Sequence, residues 1–229
     1  MKKLVISAIV LFFAAAQLDA QSSKLQQAIG KTLGDMAAAK TADEKNAVIN
    51  AFARIADAES AEWLPRYYTA LNRTLMAYDV MNADMAAAQE MAKTALSEVK
   101  TAQKVAPMES ELMVLEAFIY QLQLLENAMA NGQKYSPMIF QTLGKAEAID
   151  ANNPRINYIR GQFTLNMPEF YGGGVAKATP DIEKAAAKFA AFKPASPIHP
   201  TWGSERNAAI LKSLQAKSAA TAPKGDGQK

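Results

Sequence analysis

The sequence predicts an all-α protein built from consecutive antiparallel helix pairs. Three observations carry this. Apolar residues recur at spacings of three and four from Leu25 to Leu214, the period of a helix face. No segment gives a convincing strand. Residues 153–203 hold a whole helix–turn–helix unit with its punctuation in place. A helical segment containing Gly161 is followed by Gly172, Gly173 and Gly174, then by a second helical segment, then by an exit carrying Pro194, Pro197 and Pro200.

The chain opens on a charged pair, Lys2 and Lys3, and an apolar run from Leu4 to Ala16. Such a run is too short for a bilayer span and reads as a secretory leader over residues 1–20. Cleavage is expected before Gln21, with a site near Ala16 as the alternative. The first helix of the mature chain starts at Ser22 or Ser23 and puts Leu25, Ile29, Leu33 and Met36 on one face. Thr41 and Glu44 have the spacing of a capping box and open a second helix with Val48, Phe52 and Ile55 inward. Pro65 suits the first turn of the third helix, where its missing N–H costs nothing. Leu64, Tyr68, Leu71, Leu75 and Tyr78 share one face of that helix.

Asn82 begins an alanine-rich fourth helix with Met85, Ala88, Ala92, Ala95 and Val99 in register, ended before Pro107. Residues 109–130 form the most apolar helix. It carries two stripes and is therefore buried between neighbours. Asn131 and Gly132 stop it, and Ser136 and Pro137 restart the chain with Ile139, Leu143 and Ala146 inward. In the unit at 153–203, Ile156, Ile159 and Phe163 line one helix, and Ala178, Ile182, Ala185, Phe189 and Phe192 line the next. Gly161 inside a helix costs roughly 1 kcal/mol relative to alanine and implies a close helix contact. Thr179 with Pro180 reads as a cap and first residue; a start at Val175 would instead put Pro180 inside the helix. Ser204 caps the last helix, which carries Ala208, Leu211 and Leu214. Residues 21–217 thus form one helical repeat domain of nine helices, and residues 218–229, without apolar period, form a disordered tail.

The chain has 229 residues, no cysteine, one histidine and a net charge of +3. Losing Lys2, Lys3 and Asp19 with the leader lowers that charge by one. The absence of cysteine excludes a thiol-linked lipid anchor, disulfides and cysteine metal sites. A weak, scattered basic balance gives no case for nucleic acid. No further segment is long enough to cross a membrane.

Small residues recur inside the first helix of successive pairs at Ala70, Ala117 and Gly161, with prolines at unit ends at Pro107 and Pro154. Tetratricopeptide repeats are punctuated in this way over about 34 residues, so these are enlarged or degenerate units. Four segments add a resemblance: FARIADAESAEWLPRYY at 52–68, ANNPRINYIRGQ at 151–162, MPEFYGGGVAKA at 167–178 and FKPASPIHPTWG at 192–203. Together they resemble a family of secreted bacterial proteins classed as tetratricopeptide-like, over residues from about 24 to about 215. The resemblance implies an α–α superhelix and a periplasmic or secreted address. It carries over no catalytic residue.

Candidate chemistry is sparse. The glycines at 172–174 lack the spacing of a phosphate loop and read as a turn. His199 sits between prolines without an orienting partner and reads as a surface loop residue. There is no nucleophile elbow, and Glu109 and Glu111 point to different sides of a helix. The expectation is a protein that is not an enzyme and takes no cofactor or metal. Residues three before the small positions are Tyr67, Val114 and Tyr158, a position that faces the groove in tetratricopeptide proteins. The expected groove residues are therefore Arg66, Tyr67, Arg73, Arg155, Tyr158 and Asn166. For Trp63, Tyr68 and Tyr78, packing in the core stands beside exposure on that wall.

The function expected is a scaffold binding a protein or peptide, with another envelope or secreted protein as partner. A small-ligand binder of glycan or peptide, or a self-associating structural protein, is the alternative. Trp202 is expected to fold back on the preceding helices and fix the proline strap; an exposed Trp202 would instead be a partner contact.

Overall fold

The computed structural model describes residues 23–221, with side chains to 217. The expected leader at 1–20 lies outside them, as do residues 222–229 of the expected tail. Among the described residues there are nine α-helices, one 3-10 turn and no strand. Helix α1 covers residues 23–38. Then come α2 (Ala42–Ala58), α3 (Trp63–Val80), α4 (Met85–Val105), α5 (Ser110–Leu125), α6 (Ala128–Ile149), α7 (Pro154–Asn166), a 3-10 turn (Glu169–Tyr171), α8 (Val175–Ala191) and α9 (Ser204–Thr221).

Helices α2, α4, α6 and α7 start where short polar side chains satisfy free N–H groups. The hydroxyl of Thr41 accepts from the Glu44 amide while the Glu44 carboxylate accepts from the Thr41 amide. Asp84, Asn127 and Asn153 cap α4, α6 and α7, and Pro154 follows as the first residue of α7. Helices α3 and α4, α5 and α6, and α7 and α8 pack as antiparallel pairs, α2 packs on α3, and α9 covers α8. The first helices of the pairs, α3, α5 and α7, are themselves neighbours and form one wall. Ala88, Ala92, Ala95, Val99 and Ala102 give α4 a narrow buried face, and that is why it lies so close to α3. Helix α5 is buried on nearly every side.

Gly161 marks a close approach of α7 and α8. A Cβ there would stand 2.6 Å from Ile182 Cδ1 and 3.2 Å from Asp181 Cβ. The turn between them needs its glycines too. Gly174 has φ of 91°, and a Cβ on Gly173 would fall 2.0 Å from the Met167 carbonyl oxygen.

Four boundaries differ from the sequence expectation. Helix α4 begins after Asp84, two residues beyond Asn82. The break between α5 and α6 falls at Asn127, so Asn131, Gly132 and Pro137 lie within α6. Asn127 supplies the cap, accepting from Ala130, and Tyr135 and Met138 pack against the core on either side of Pro137. Packing there overrides the breaker residues. Helix α8 starts at Val175, so Pro180 is internal, and Thr179 donates its hydroxyl to the Val175 carbonyl instead of capping. Helix α9 continues to Thr221, past the boundary expected at 217.

Candidate functional site

Residues 192–203 leave α8 as an extended strap and cross the wall made by α3, α5 and α7. Three prolines keep this segment out of helix. Three of its polar groups are taken by the wall. Tyr68 Oη donates to the Ile198 carbonyl at 2.7 Å, and Arg155 Nη2 donates to the Pro200 carbonyl at 2.6 Å. Trp202 Nε1 donates to Tyr67 Oη at 2.7 Å. The Trp202 ring stacks on Phe118 of α5 at 5.9 Å and meets Tyr158 of α7 edge-on at 6.1 Å. Trp202 therefore folds back as expected, but onto α3, α5 and α7 instead of the preceding pair alone.

Beneath the strap lies a buried ionic network at the N-terminal ends of those helices. Arg155 is 0% exposed and Glu111 is 2% exposed. Glu111 Oε1 accepts from Arg155 Nη1 at 2.9 Å and from Asn153 Nδ2 at 2.8 Å, and Oε2 accepts from Tyr67 Oη at 3.0 Å. The Arg155 guanidinium also lies 4.9 Å from the Phe192 ring centre and 5.5 Å from that of Trp202. Burial pushes the Glu111 carboxyl above its ordinary range, with Arg155 opposing. Burial likewise pushes the Tyr67 hydroxyl well up, and the charge of Glu111 adds to it. Every strong polar group here is spent on another group of the same chain, except Arg155 Nε, which has no acceptor.

This corrects the expected groove. Tyr67, Arg155 and Tyr158 belong to the buried floor under the strap, not to an open wall. Arg66 looks the other way, pairing with Glu98 of α4 at 2.9 Å and Asp57 of α2 at 3.4 Å. Arg73, two turns on, shares the face of Arg66. Asn166 is exposed at the end of α7, donating to the Gln162 carbonyl. The structure does not bring the six together. Trp63 is half-buried against Tyr67. Tyr68 is core, and half-buried Tyr78 stacks on Phe118 at 4.8 Å. His199 is no free loop residue either, since its half-buried ring sits between Trp63 and Phe192 at 6.1 and 6.4 Å.

The strap covers only part of the wall. Tyr68, Phe118 and Tyr158 touch it, and two turns beyond each on the same helix faces come Leu75, Leu125 and Leu165. Leu75 is 40% exposed, Leu125 39%, and Leu165 is half-buried. Helix α9 adds a shallow open concavity lined by Glu205, Arg206, Ala209, Ile210 and Ser213. Burial raises the Tyr158 hydroxyl, and the charge of Arg206 opposes that push. Leu75 reads in the sequence as a core position beside Tyr68, and for Leu125 and Leu165 a spacing of seven from Phe118 and Tyr158 was the available signal. Among the described residues no group of three or more His, Asp or Glu side chains is placed to hold a metal, and no helix is long and apolar enough to cross a membrane.

No protein-family model matches this chain, and no curated protein does. Solved structures resemble it. The HusA haemophore from Porphyromonas gingivalis superposes with a TM-score of 0.72 at 24% identity, over 89% of this chain and 96% of that one. TTC0263, a thermophilic TPR protein of Thermus thermophilus, gives 0.57 at 15% identity, over 88% and 93%. What both share with this chain is architecture: it has the tetratricopeptide-like, all-α fold of paired helices.

Proposed function

We propose that this protein is a non-catalytic binding scaffold that holds a segment of another envelope or secreted protein on the open part of its inner wall. The observation that carries the proposal is the row of Leu75, Leu125 and Leu165, which continues the strap-binding faces of α3, α5 and α7 beyond the strap. Covering such half-exposed leucines contributes about 1 kcal/mol each. The strap supports the idea by example, since this wall already holds one extended segment through its carbonyls and a tryptophan. A role without catalysis is supported by the pairing of Glu111, Tyr67 and Arg155 with one another. An envelope address rests on the leader expected at residues 1–20. The test is capture of envelope proteins under native conditions by the wild type and by a Leu75→Asp/Leu125→Asp variant. A partner enriched by the first and lost by the second supports the reading; equal capture, or none, ends it.

A second reading, haem as the ligand, is favoured by the likeness to a haemophore together with the aromatic series of Tyr78, Phe118 and Trp202 beside the leucines. Flat apolar ligands lie well on such rings, and Arg206 supplies a cation for a carboxylate. Titration with haemin separates the two readings. A saturable change in the Soret band, abolished by the same double variant, selects haem; no saturable change removes it.

A further inference from the structure

We infer that the strap at residues 192–203 is a pH-sensitive cover, and that protonation of His199 lifts Ile198 to Trp202 off α3, α5 and α7. The geometry places the imidazole beside Trp63 and Phe192, in a segment held to the wall by three side-chain hydrogen bonds, the stacking of Trp202 and the buried Ile198. The Phe192 ring is also a neighbour of the Arg155 guanidinium, at 4.9 Å. A second cation on His199 would therefore form beside a buried, immovable one. The two ring centres lie 6.1 and 6.4 Å from the imidazole, at the outer limit of useful cation–π attraction, so they offer an imidazolium little in return.

The charges around this point are few. On α7 there is Arg155; in the turn before it, Asp150, exposed and opposing Arg155. On α5, Glu111 is engaged by Arg155, Tyr67 and Asn153, and Glu109 lies beside it. On α3, which carries Trp63, Arg66 is turned away to Glu98 and Asp57, and Glu62 is exposed. On the strap, Lys193 is exposed.

Burial first, and Arg155 second, push His199 below its ordinary value of 6.5. The sign follows directly. The docked strap keeps the imidazole neutral, while a lifted strap binds the proton more tightly. Docking is therefore complete above pH 6.5 and is weakened as pH falls below it. The ends stay in place during lifting, because Asn207 Nδ2 donates to the Ile182 carbonyl at 3.0 Å and ties α9 to α8. What rises is a bow in the middle. It frees Tyr67, Tyr68, Phe118 and Tyr158 and joins the floor beneath to the open leucine row. The cover stands on its own geometry; its use as a gate rests on the binding role proposed above.

The sequence has one histidine, so its ring-proton resonance can be titrated without ambiguity. The opening itself is read from Trp202 emission in a Trp63→Phe variant, which keeps an aromatic ring against His199. Between about pH 7.5 and about pH 5, where histidine titrates, the emission is expected to move red while helicity stays constant. In the same background His199→Gln abolishes that shift. Emission that does not move overturns the cover, and so does an equal shift in the glutamine variant. Neither readout uses a ligand, so their failure leaves the capture experiment intact. Capture that fails at both pH values sinks the binding role alone.

Discussion

Trp202 Nε1 and Tyr67 Oη, 135 positions apart in the chain, share a hydrogen bond of 2.7 Å. That bond closes a ring. Trp202 donates to Tyr67, Tyr67 donates to Glu111, Glu111 accepts from Arg155, and Arg155 donates to the carbonyl of Pro200, two residues before Trp202. The donors from Trp202 and Tyr67 point the same way, toward the carboxylate, so each polarises the next. Three helices and the strap are held by one circuit.

Replacing Trp202 tests the strap end of the circuit. Trp202→Phe keeps a ring on Phe118 and loses the N–H, at a cost of about 0.5–1.5 kcal/mol. Trp202→Ala also loses the stacking, and for a half-buried tryptophan this costs roughly 2–4 kcal/mol. At roughly 2–4 °C per kcal/mol for a chain this long, the alanine variant melts roughly 4–16 °C lower by circular dichroism. A wild-type melting temperature for Trp202→Ala would show the ring contributes nothing to the fold.

The ionic centre is tested by Arg155→Met. It leaves Glu111 buried without its cation, a defect of about 3–5 kcal/mol. The double variant Glu111→Gln/Arg155→Met removes the stranded charge and recovers most of that loss. The pH dependence has a definite sign. Glu111 is held above its ordinary value of 4.5 by burial, so its contribution is most favourable below 4.5 and is lost as pH rises through the raised value. Arg155→Met raises it further, so this variant gains on the wild type as the solution is acidified. Urea titrations at several pH values measure this; a deficit that grows toward acid contradicts it.

The helix pairs were legible because each buries a stripe with the helical period. Gly161 was legible because an internal glycine is unfavourable unless something presses on it, and Ile182 does. The α5–α6 boundary was misplaced because Gly132 and Pro137 are breakers only by local preference, and Tyr135 and Met138 outweigh them through tertiary packing. The site was misread for a different reason. Tyr67, Arg155 and Tyr158 do lie on the inner wall, as their positions before Ala70 and Gly161 implied. Whether that wall is open depends on where residues 192–203 travel, and three prolines forbid a helix without giving a direction. Leu75 and Leu125 look like core positions in the sequence; the strap stops short of them, and nothing local records where it stops.

Gly161 yields the third prediction. Alanine there brings its Cβ within 3 Å of two Ile182 side-chain atoms, so Ile182 or the helix must shift. Gly161→Leu overpacks the contact and costs about 1–3 kcal/mol or more. Because the nearest atom is the tip of Ile182, trimming it makes room. Gly161→Ala in an Ile182→Val background is expected to cost less than the sum of the two single changes. Strict additivity in a double-mutant cycle would mean the two residues are not in contact.

Glu116 contributes to the acid behaviour of the fold. It is buried between α4 and α5, and both oxygens are taken. Oε1 accepts from Lys100 Nζ at 2.6 Å and from Tyr120 Oη at 2.5 Å, and Oε2 accepts from Gln103 Nε2 at 2.6 Å. Burial alone would push this carboxyl up, but the three donors outweigh it and hold it below 4.5. The stabilisation is therefore present above 4.5 and is lost as pH falls through the depressed value. Glu116→Gln keeps one acceptor and turns an N–H donor toward groups that are themselves donors. Hydrogen bonds to a charged group contribute about 1.5–3 kcal/mol, and a loss of that order is expected near neutrality. Near neutral pH the variant is less stable than the wild type, and the gap narrows as pH drops below 4.5, because the wild type then loses the same charge. Unfolding free energies that stay parallel through this range would mean that Glu116 is not the titrating group.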